Sequence, residues 1–152
     1  MAELITYARS EVSYQAGTKA HPTELNRIRA AIIDSAAVFT AANGDTFATH
    51  LIIPAGSRIM AGVLLSCAAG TASTTLSIGL RDAITKVAID ATAILNAASI
   101  ASAATLYLFT GTKVLSGLYY IVPQDAEIYG TFGGGTPLAN QALRAEIQWV
   151  SP

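Results

Sequence analysis

The chain has 152 residues, of which 52% are hydrophobic and 12% charged, and its formal net charge is −1. One domain of this length can bury a core without disulfides or a structural metal. The lack of a basic excess argues against nucleic acid as a partner. Soluble domains usually carry about 25% charged residues, so the deficit indicates a surface that is partly covered by partners.

Cys67 is the only cysteine, which excludes an intrachain disulfide and a multi-cysteine metal site. A chain without disulfides suits assembly in a reducing cytosol. The first residues, MAELITYARSEV, lack the basic segment and apolar run of a signal peptide. Residues 91–112 are uncharged and long enough to cross a bilayer, but their scattered Ser, Thr and Asn argue against a membrane span.

Residues 1–35 are predicted to form an extended N-terminal arm with one short helix. Thr23 follows a proline and is typical of a helix N-cap. Leu25, Ile28 and Ile32 then recur at the spacing of one helix face. Such an arm is either an anchor for a partner or a disordered tail, and the residues leave both open.

Residues 36–152 are predicted to form one β-sandwich domain. The stretch AAVFTA is β-like and leads into the Asn-Gly-Asp turn signal at residues 43–45. The strands TFATHLII and RIMAGVLLS follow, joined by Pro54-Ala55-Gly56. Proline and glycine fit the second and fourth positions of a type I turn, so this tripeptide predicts a tight corner between two strands.

Later segments continue the β pattern. TTLSIGL alternates between polar and apolar residues, and so does the terminal QALRAEIQWV, while LYLFTG, GLYYIV and AEIYGTF are rich in strand formers. The run from Asp90 to about Thr105 holds neither period and is predicted to be a loop with a helical turn. Short strands separated by turns at regular spacing indicate a sandwich or barrel.

Residues that could support catalysis are scarce. The two histidines, His21 and His50, form no recognisable triad with a nucleophile and an acid. Asp125 and Glu127 share one face of a strand, where a polar outer sheet face is a commoner explanation than a catalytic pair. The glycines of residues 130–135 lead into a strand and not into the helix that a phosphate site needs. The sequence therefore predicts no enzyme, no cofactor and no metal.

Several motifs resemble the capsid decoration proteins of tailed phages, also called cement or head-stabilising proteins. The family's recurring pattern has a Gly-Asp start, a Pro-Ala-Gly corner, a Gly-Val strand, a T-T-L-x-I-G-L strand and a short apolar last strand. In this chain these motifs fall at Gly44-Asp45, Pro54-Ala55-Gly56, Gly62-Val63, residues 74–80 and residues 147–150. The resemblance covers about residues 38–150 and rests on turns and strand alternation.

This resemblance implies an all-β, jelly-roll-like antiparallel sandwich that forms a homodimer or homotrimer. It also implies binding to the major capsid protein on the outer surface of the virion. The arm would be the natural contact, since an extended segment adds binding area and can extend a partner's sheet. Its candidate capsid-contact residues are Tyr7, Arg9, Tyr14, Lys19, Arg27 and Arg29.

A second class of function remains open on the residues alone. A receptor- or carbohydrate-binding sandwich of a phage tail fibre would use aromatic side chains as a sugar platform. The candidates are Tyr107, Phe109, Tyr119, Tyr120, Tyr129 and Trp149. Strand alternation instead favours part of this set as core.

Overall fold

The computed structural model describes residues 28–116 and 120–151, which form two four-stranded antiparallel sheets and one short helix. The strands are β1 (Ile28–Asp34), β2 (Thr46–Ile53), β3 (Arg58–Cys67), β4 (Thr75–Asp82), β5 (Ala88–Ser99), β6 (Ala104–Leu108), β7 (Ala126–Gly133) and β8 (Leu143–Val150). The helix, α1 (Thr112–Ser116), lies between β6 and β7.

The strand order defines the topology. Sheet I has the order β1-β8-β3-β6, and sheet II has the order β2-β7-β4-β5. Most consecutive strands lie in different sheets, so the chain crosses repeatedly between the two layers. Eight strands in two sheets with these interlocked connections form a jelly roll. The predicted all-β, jelly-roll-like sandwich is confirmed for the described residues.

The core lies between the two sheets and follows from strand alternation. In β8, Leu143, Ala145, Ile147 and Trp149 face inward and are buried, as the terminal pattern predicts. The predicted alternation of β4 also holds for its apolar residues. The fully buried apolar side chains come from both sheets and include Ile53, Val63, Leu76, Ile78, Leu80, Ile94, Leu95, Val122, Ile128 and Ile147.

The corner between β2 and β3 carries the chain from sheet II to sheet I. The Ser57 amide donates to the Pro54 carbonyl at 3.1 Å, so the turn begins at Pro54, one residue later than predicted. Gly56 then occupies the third position with φ 81°, which a type II turn requires and a type I turn does not. Backbone bonds of Gly56 and Ser57 to Val122, both 2.8 Å, fix the corner against the segment before β7.

The predicted N-terminal helix is wrong where it can be compared. Ile28 and Ile32 lie in β1, which pairs with β8 from Ile28–Val150 to Asp34–Arg144. A spacing of four residues places side chains on one face of either a helix or a strand, so these two positions could not decide between them. Leu25 and the rest of residues 1–27 lie outside the described residues, and the division of the chain at residue 35 stays a prediction.

Three other segments differ from the sequence prediction. Residues 90–99 belong to strand β5 and not to the predicted loop with a helical turn. Bulges interrupt the alternation of this strand, so the sequence pattern did not indicate it. Residues 36–41 are irregular. Of GLYYIV, residues 117–119 lie outside the described part, and Ile121 forms only an isolated bridge with Arg58.

Candidate interaction surfaces

The hairpin tip between β4 and β5, residues 83–87, projects two aliphatic side chains into solvent. Ile84 is 89% exposed and Val87 is 66% exposed. The tip is nevertheless well bonded. The Asp82 carboxylate accepts hydrogen bonds from the amides of Ile84 at 2.8 Å and Thr85 at 2.5 Å. These bonds hold the pKa of Asp82 below its usual value, with the bonds to Thr85 as the largest cause.

A buried carboxylate fixes the base of this tip. Glu127 is fully buried although it lies on the outer face of sheet II. Its Oε2 accepts from Arg81 Nε at 2.9 Å and from Lys86 Nζ at 2.8 Å, and its Oε1 accepts from the His50 amide at 3.2 Å. Lys86 belongs to the tip, so the ion pair ties the loop to the sheet.

Glu127 corrects the expectation of a solvated outer face with two carboxylates. Asp125, two residues earlier in the chain, is exposed and accepts a hydrogen bond from the Ala55 amide at 2.8 Å. The two carboxylates therefore serve different contacts and do not act as a pair. His50, predicted to be an ordinary strand residue, lies in a bulge of β2 with φ 58° and an exposed side chain. Its backbone amide donates to Glu127 Oε1, and its imidazole Nδ1 lies 3.8 Å from the same oxygen.

The Glu127 cluster makes stability acid-sensitive. The hydrogen bond from Arg81 is the largest influence and lowers the pKa of Glu127 to about 2, against burial, which raises it. A depressed folded-state pKa stabilises the fold above the unfolded value and loses that contribution as pH falls towards the folded value. We therefore expect the melting temperature to fall between about pH 5 and pH 2.

Thermal unfolding followed by circular dichroism at stepped pH checks this expectation. A Glu127→Gln variant is the control, because it lacks the titrating group and should show a shallower fall over the same window. Equal slopes for the variant and the parent chain would contradict the assignment.

A second polar group ties α1 to β5. Asp90 Oδ2 accepts from Thr112 Oγ1 at 2.5 Å, and Lys113 Nζ lies 4.0 Å from the same oxygen. Lys113 also lies over the Tyr120 ring, 4.9 Å from its centroid. Burial raises the pKa of Asp90, but the bonds from Thr112 and Thr92 outweigh it and lower the value. Asp90 is therefore a structural anchor and not a solvated strand-end charge.

The outer face of sheet I carries an aromatic pair beside its β6 edge. Tyr107 and Phe109 are 52% and 46% exposed, and their rings meet edge to face with centroids 4.8 Å apart. Tyr107 lies across Gly62 of β3, where an added Cβ would approach the ring to 2.6 Å. The half-buried Leu64 is opposite Tyr107 in the β3–β6 register. Exposed aromatic side chains held in fixed positions are typical anchors of protein interfaces.

The opposite edge of sheet I is also apolar. Ile28 and Ile32 of β1 are both more than half exposed. Both residues pair with β8, Ile28 with Val150 and Ile32 with Glu146. Arg144 donates to the Asp34 carboxylate at 2.7 and 3.1 Å, which lowers the pKa of Asp34. The face thus has an aliphatic strip, a polar centre and the aromatic pair.

Of the predicted capsid contacts, the structure describes one. Arg29 lies in β1 opposite Trp149, and its Nε donates to Ser151 Oγ at 2.8 Å. The others, Tyr7, Arg9, Tyr14, Lys19 and Arg27, lie outside the described residues. Their role in binding stays a prediction.

The aromatic residues of the predicted sugar platform do not lie together. Trp149 is buried on the inner side of sheet I, and Tyr129 is buried on the outer side of sheet II with Arg81 over its ring. Tyr107 and Phe109 lie on the outer side of sheet I, while Tyr119 is outside the described residues. Tyr120 is half-buried with Lys113 over its ring, so of the described candidates only Tyr107 and Phe109 form an exposed pair.

Two further checks concern ligands and membranes. Within residues 28–116 and 120–151, no group of three or more His, Cys, Asp or Glu side chains is placed to hold a metal ion. Across those same ranges, no helix has the length and apolar character needed to cross a bilayer. Residues 91–112, the stretch tested above for a span, contain β6 and most of β5.

The jelly roll is similar in fold to chains in two phage capsid structures. One match is a chain of the cyanophage Pam1 capsid asymmetric unit, with a TM-score of 0.59 and 16% identity over 84% of this chain and 86% of that one. Another is a chain of the capsid of Ralstonia phage GP4, with a TM-score of 0.62 and 12% identity over 83% and 85%. No family model and no curated protein matches the sequence.

These likenesses establish a shared fold. The covered shares are nearly equal on both sides. The matched chains are therefore of about the same length as this one, and the jelly roll makes up most of each.

Proposed function

We propose that this chain is a non-enzymatic cement protein that binds the outer surface of an assembled phage capsid and stabilises it. The observation that supports this most is the likeness of nearly the whole chain to chains of two phage capsids. The major capsid protein is the proposed partner, and copies of this chain associate with one another on the shell. Assembly takes place in the host cytoplasm.

The described surfaces suit binding better than they suit chemistry. Tyr107 and Phe109 present rigid aromatic area with few rotatable bonds, so binding them costs little side-chain entropy. The exposed strip at Ile28 and Ile32 adds aliphatic area on the same outer face of sheet I. Weak contacts repeated over a rigid shell add up through avidity.

Sedimentation with capsids tests the proposal. The purified chain is mixed with heads assembled without it, from the virus that encodes it, and separately with unassembled capsid protein. We expect the chain to pellet with heads and not to bind the unassembled subunits, because its proposed contacts span neighbouring subunits of the shell. Tyr107→Ala should weaken head binding about tenfold or more, as expected for an aromatic anchor.

Two further variants separate the contribution of the aromatic pair from that of the predicted arm. Val38→Ala changes an apolar residue of the loop before β2 that is more exposed than Tyr107, and it should bind like the parent chain. Deletion of residues 1–27 tests the arm, whereas a deletion to residue 35 would also remove β1 from sheet I. A parent chain that stays in the supernatant at every concentration would overturn the proposed function.

A further inference from the structure

Strand β1 forms an open edge of sheet I. In the order β1-β8-β3-β6, one side of β1 pairs with β8, and the other side faces no strand of the described chain. An open edge presents a row of unpaired backbone N–H and C=O groups, which is a template for a further strand. Natural sheets protect such edges with bulges or by keeping the edge strands short.

The other three edges of the described sandwich carry this protection, and β1 does not. The edges of sheet II are β2 and β5, and both contain register shifts. The far edge of sheet I is β6, which has five residues and is the shortest of the described strands. In contrast, β1 has seven residues in one unbroken register with β8, and it contains no proline. It is therefore the edge best suited to accept another strand.

The backbone groups that point to the open edge belong to alternate residues of β1. The Ser35 amide donates to the Leu143 carbonyl at 2.9 Å, so these two residues form a hydrogen-bonded pair that continues the β1–β8 register. Hydrogen-bonded and non-hydrogen-bonded pairs alternate along an antiparallel ladder. The odd-numbered residues of β1 therefore bond to β8, and the even-numbered residues direct their N–H and C=O groups to the open edge.

The side chains of these even-numbered residues suit a copy of the same strand. Ile28 and Ile32 are 63% and 57% exposed on the outer face of sheet I, and the small Ala30 lies between them. We infer that β1 pairs antiparallel with β1 of a second copy, about a two-fold axis at Ala30. Each Ile28 then lies opposite Ile32 of the other copy, so two pairs of exposed isoleucines cover one another as cross-strand neighbours.

The axis at Ala30 follows from the backbone and the side chains together. Hydrogen-bonded pairs must join even-numbered residues of the two copies, because only these have free backbone groups at the edge. With the axis at Ala31, Ile28 would face the charged Asp34. With the axis at Ile32, Ala30 would face Asp34, and Ile28 would lose its aliphatic neighbour. The strand is thus complementary to itself in one register, which selects a second copy as its partner.

The two charged residues of β1 are compatible with this pairing. Arg29 Nε donates to Ser151 Oγ at 2.8 Å, and its side chain would face only the small Ala31 of the second copy. Asp34 lies beyond the paired segment and keeps its ion pair with Arg144. The contact makes about six backbone hydrogen bonds, two for each facing pair. It is isologous, so it closes with two copies and joins their two sheets I into one continuous sheet.

This inference specifies the self-association that the proposed function includes and in that respect rests on it. Its tests use no capsid, so the two can fail separately. A single chain that still pellets with heads would overturn the pairing alone. A dimer that stays in solution with heads would overturn the proposed function alone.

Light scattering measures the mass of the parent chain, Ala30→Pro and Ile32→Lys. We expect two chains for the parent and one chain for each variant. Proline at Ala30 removes an N–H that points away from β8, which an edge strand tolerates, and a lysine on an edge opposes strand addition. Leu106→Lys is the matched control, at a residue 50% exposed on the opposite edge strand β6, and should remain a dimer. A monomeric parent chain, or dimers of both β1 variants, would overturn the inference.

Disulfide cross-linking tests the register. Ile28→Cys and Ile32→Cys are made in separate chains, mixed to allow exchange and then oxidised. Facing residues of a hydrogen-bonded pair have Cα atoms about 5.5 Å apart, within reach of a disulfide. We expect a linked dimer from the mixture and little from either variant alone, because identical residues of the two copies lie four positions apart, roughly 13 Å. The parent chain, with Cys67 buried, gives the background. Equal cross-linking in the mixture and in the single variants would overturn the inference.

Discussion

Replacing Glu127 with Gln is expected to lower the free energy of unfolding by roughly 2–4 kcal/mol, because breaking a buried ion pair leaves charges without a partner. Glu127 is fully buried and neutralises Arg81 and Lys86 at 2.9 and 2.8 Å. A glutamine side chain keeps the size and one carbonyl acceptor but removes the negative charge. The effect falls below the largest values for buried pairs because Lys86 is about half exposed and can turn to water.

Urea unfolding followed by tryptophan fluorescence measures the loss, since Trp149 is buried in the core. Asp34→Asn is the matched control. It breaks the Arg144 ion pair, in which both side chains are 54% exposed. Water and salt screen such pairs, so the loss should be much smaller than for Glu127. Equal losses in the two variants would show that burial of Glu127 has no special weight.

The variant also tests the organisation of the hairpin tip. Without the carboxylate, Lys86 loses its anchor while Asp82 still bonds the tip amides. We expect faster hydrogen exchange at the amides of residues 83–87 and little change in β8, which lies in the other sheet. A more mobile tip would then weaken any contact that Ile84 makes.

The strands that the sequence predicted well are those with one buried face. In β8, every second residue from Leu143 to Trp149 is apolar, and each of these lies in the core. The position of the Pro54-Ala55-Gly56 corner was also predictable, because proline and glycine mark turns, whereas its type II geometry and its start at Pro54 were not. These features depend on residues close in sequence, which a single chain displays directly.

The features that the sequence concealed depend on distant residues. The bulge in β5 sets residues 91–94 against Gly79 alone, and this mismatch destroys the alternation that would mark a strand. Glu127 becomes buried only because Arg81 lies opposite it in the β4–β7 register and Lys86 reaches across from the tip. Neither the register nor the bulge can be read from residue types.

The low charge of the chain acquires a structural meaning in these contacts. Most of the charged side chains of sheet II hold loops: Glu127 and Asp82 hold the tip, and Asp90 holds α1 through Thr112. On the outer face of sheet I, charged residues occupy part of β1, β3 and β8, while Tyr107, Phe109 and two isoleucines are exposed beside them. Exposed apolar groups next to a polar region are typical of interaction surfaces.

Gly79→Ala is expected to cost about 3 kcal/mol, the upper part of the usual range for forcing extra atoms into a packed site. The β5 backbone at Asp90 and Ala91, where the bulge begins, passes directly over Gly79. An added Cβ would overlap the Asp90 carbonyl oxygen and lie 2.5 Å from the carbonyl carbon of Ala91. These are backbone atoms, so no rotation of a side chain relieves the overlap. The bulge would have to lift, and Asp90 would then lose its hold on Thr112 of α1.

Gly133→Ala is the matched control, because it makes the same change in the same sheet. Its added Cβ would meet Thr75 Oγ1 at 3.0 Å, the end of a side chain that can rotate away. Replacing an unstrained glycine also restricts the unfolded chain, a gain of about 0.4–1 kcal/mol, so this variant should be near neutral. Urea midpoints at constant m-value compare the two. If both variants unfold at the parent midpoint, the bulge shifts without cost, and its close approach to Gly79 does not contribute to stability.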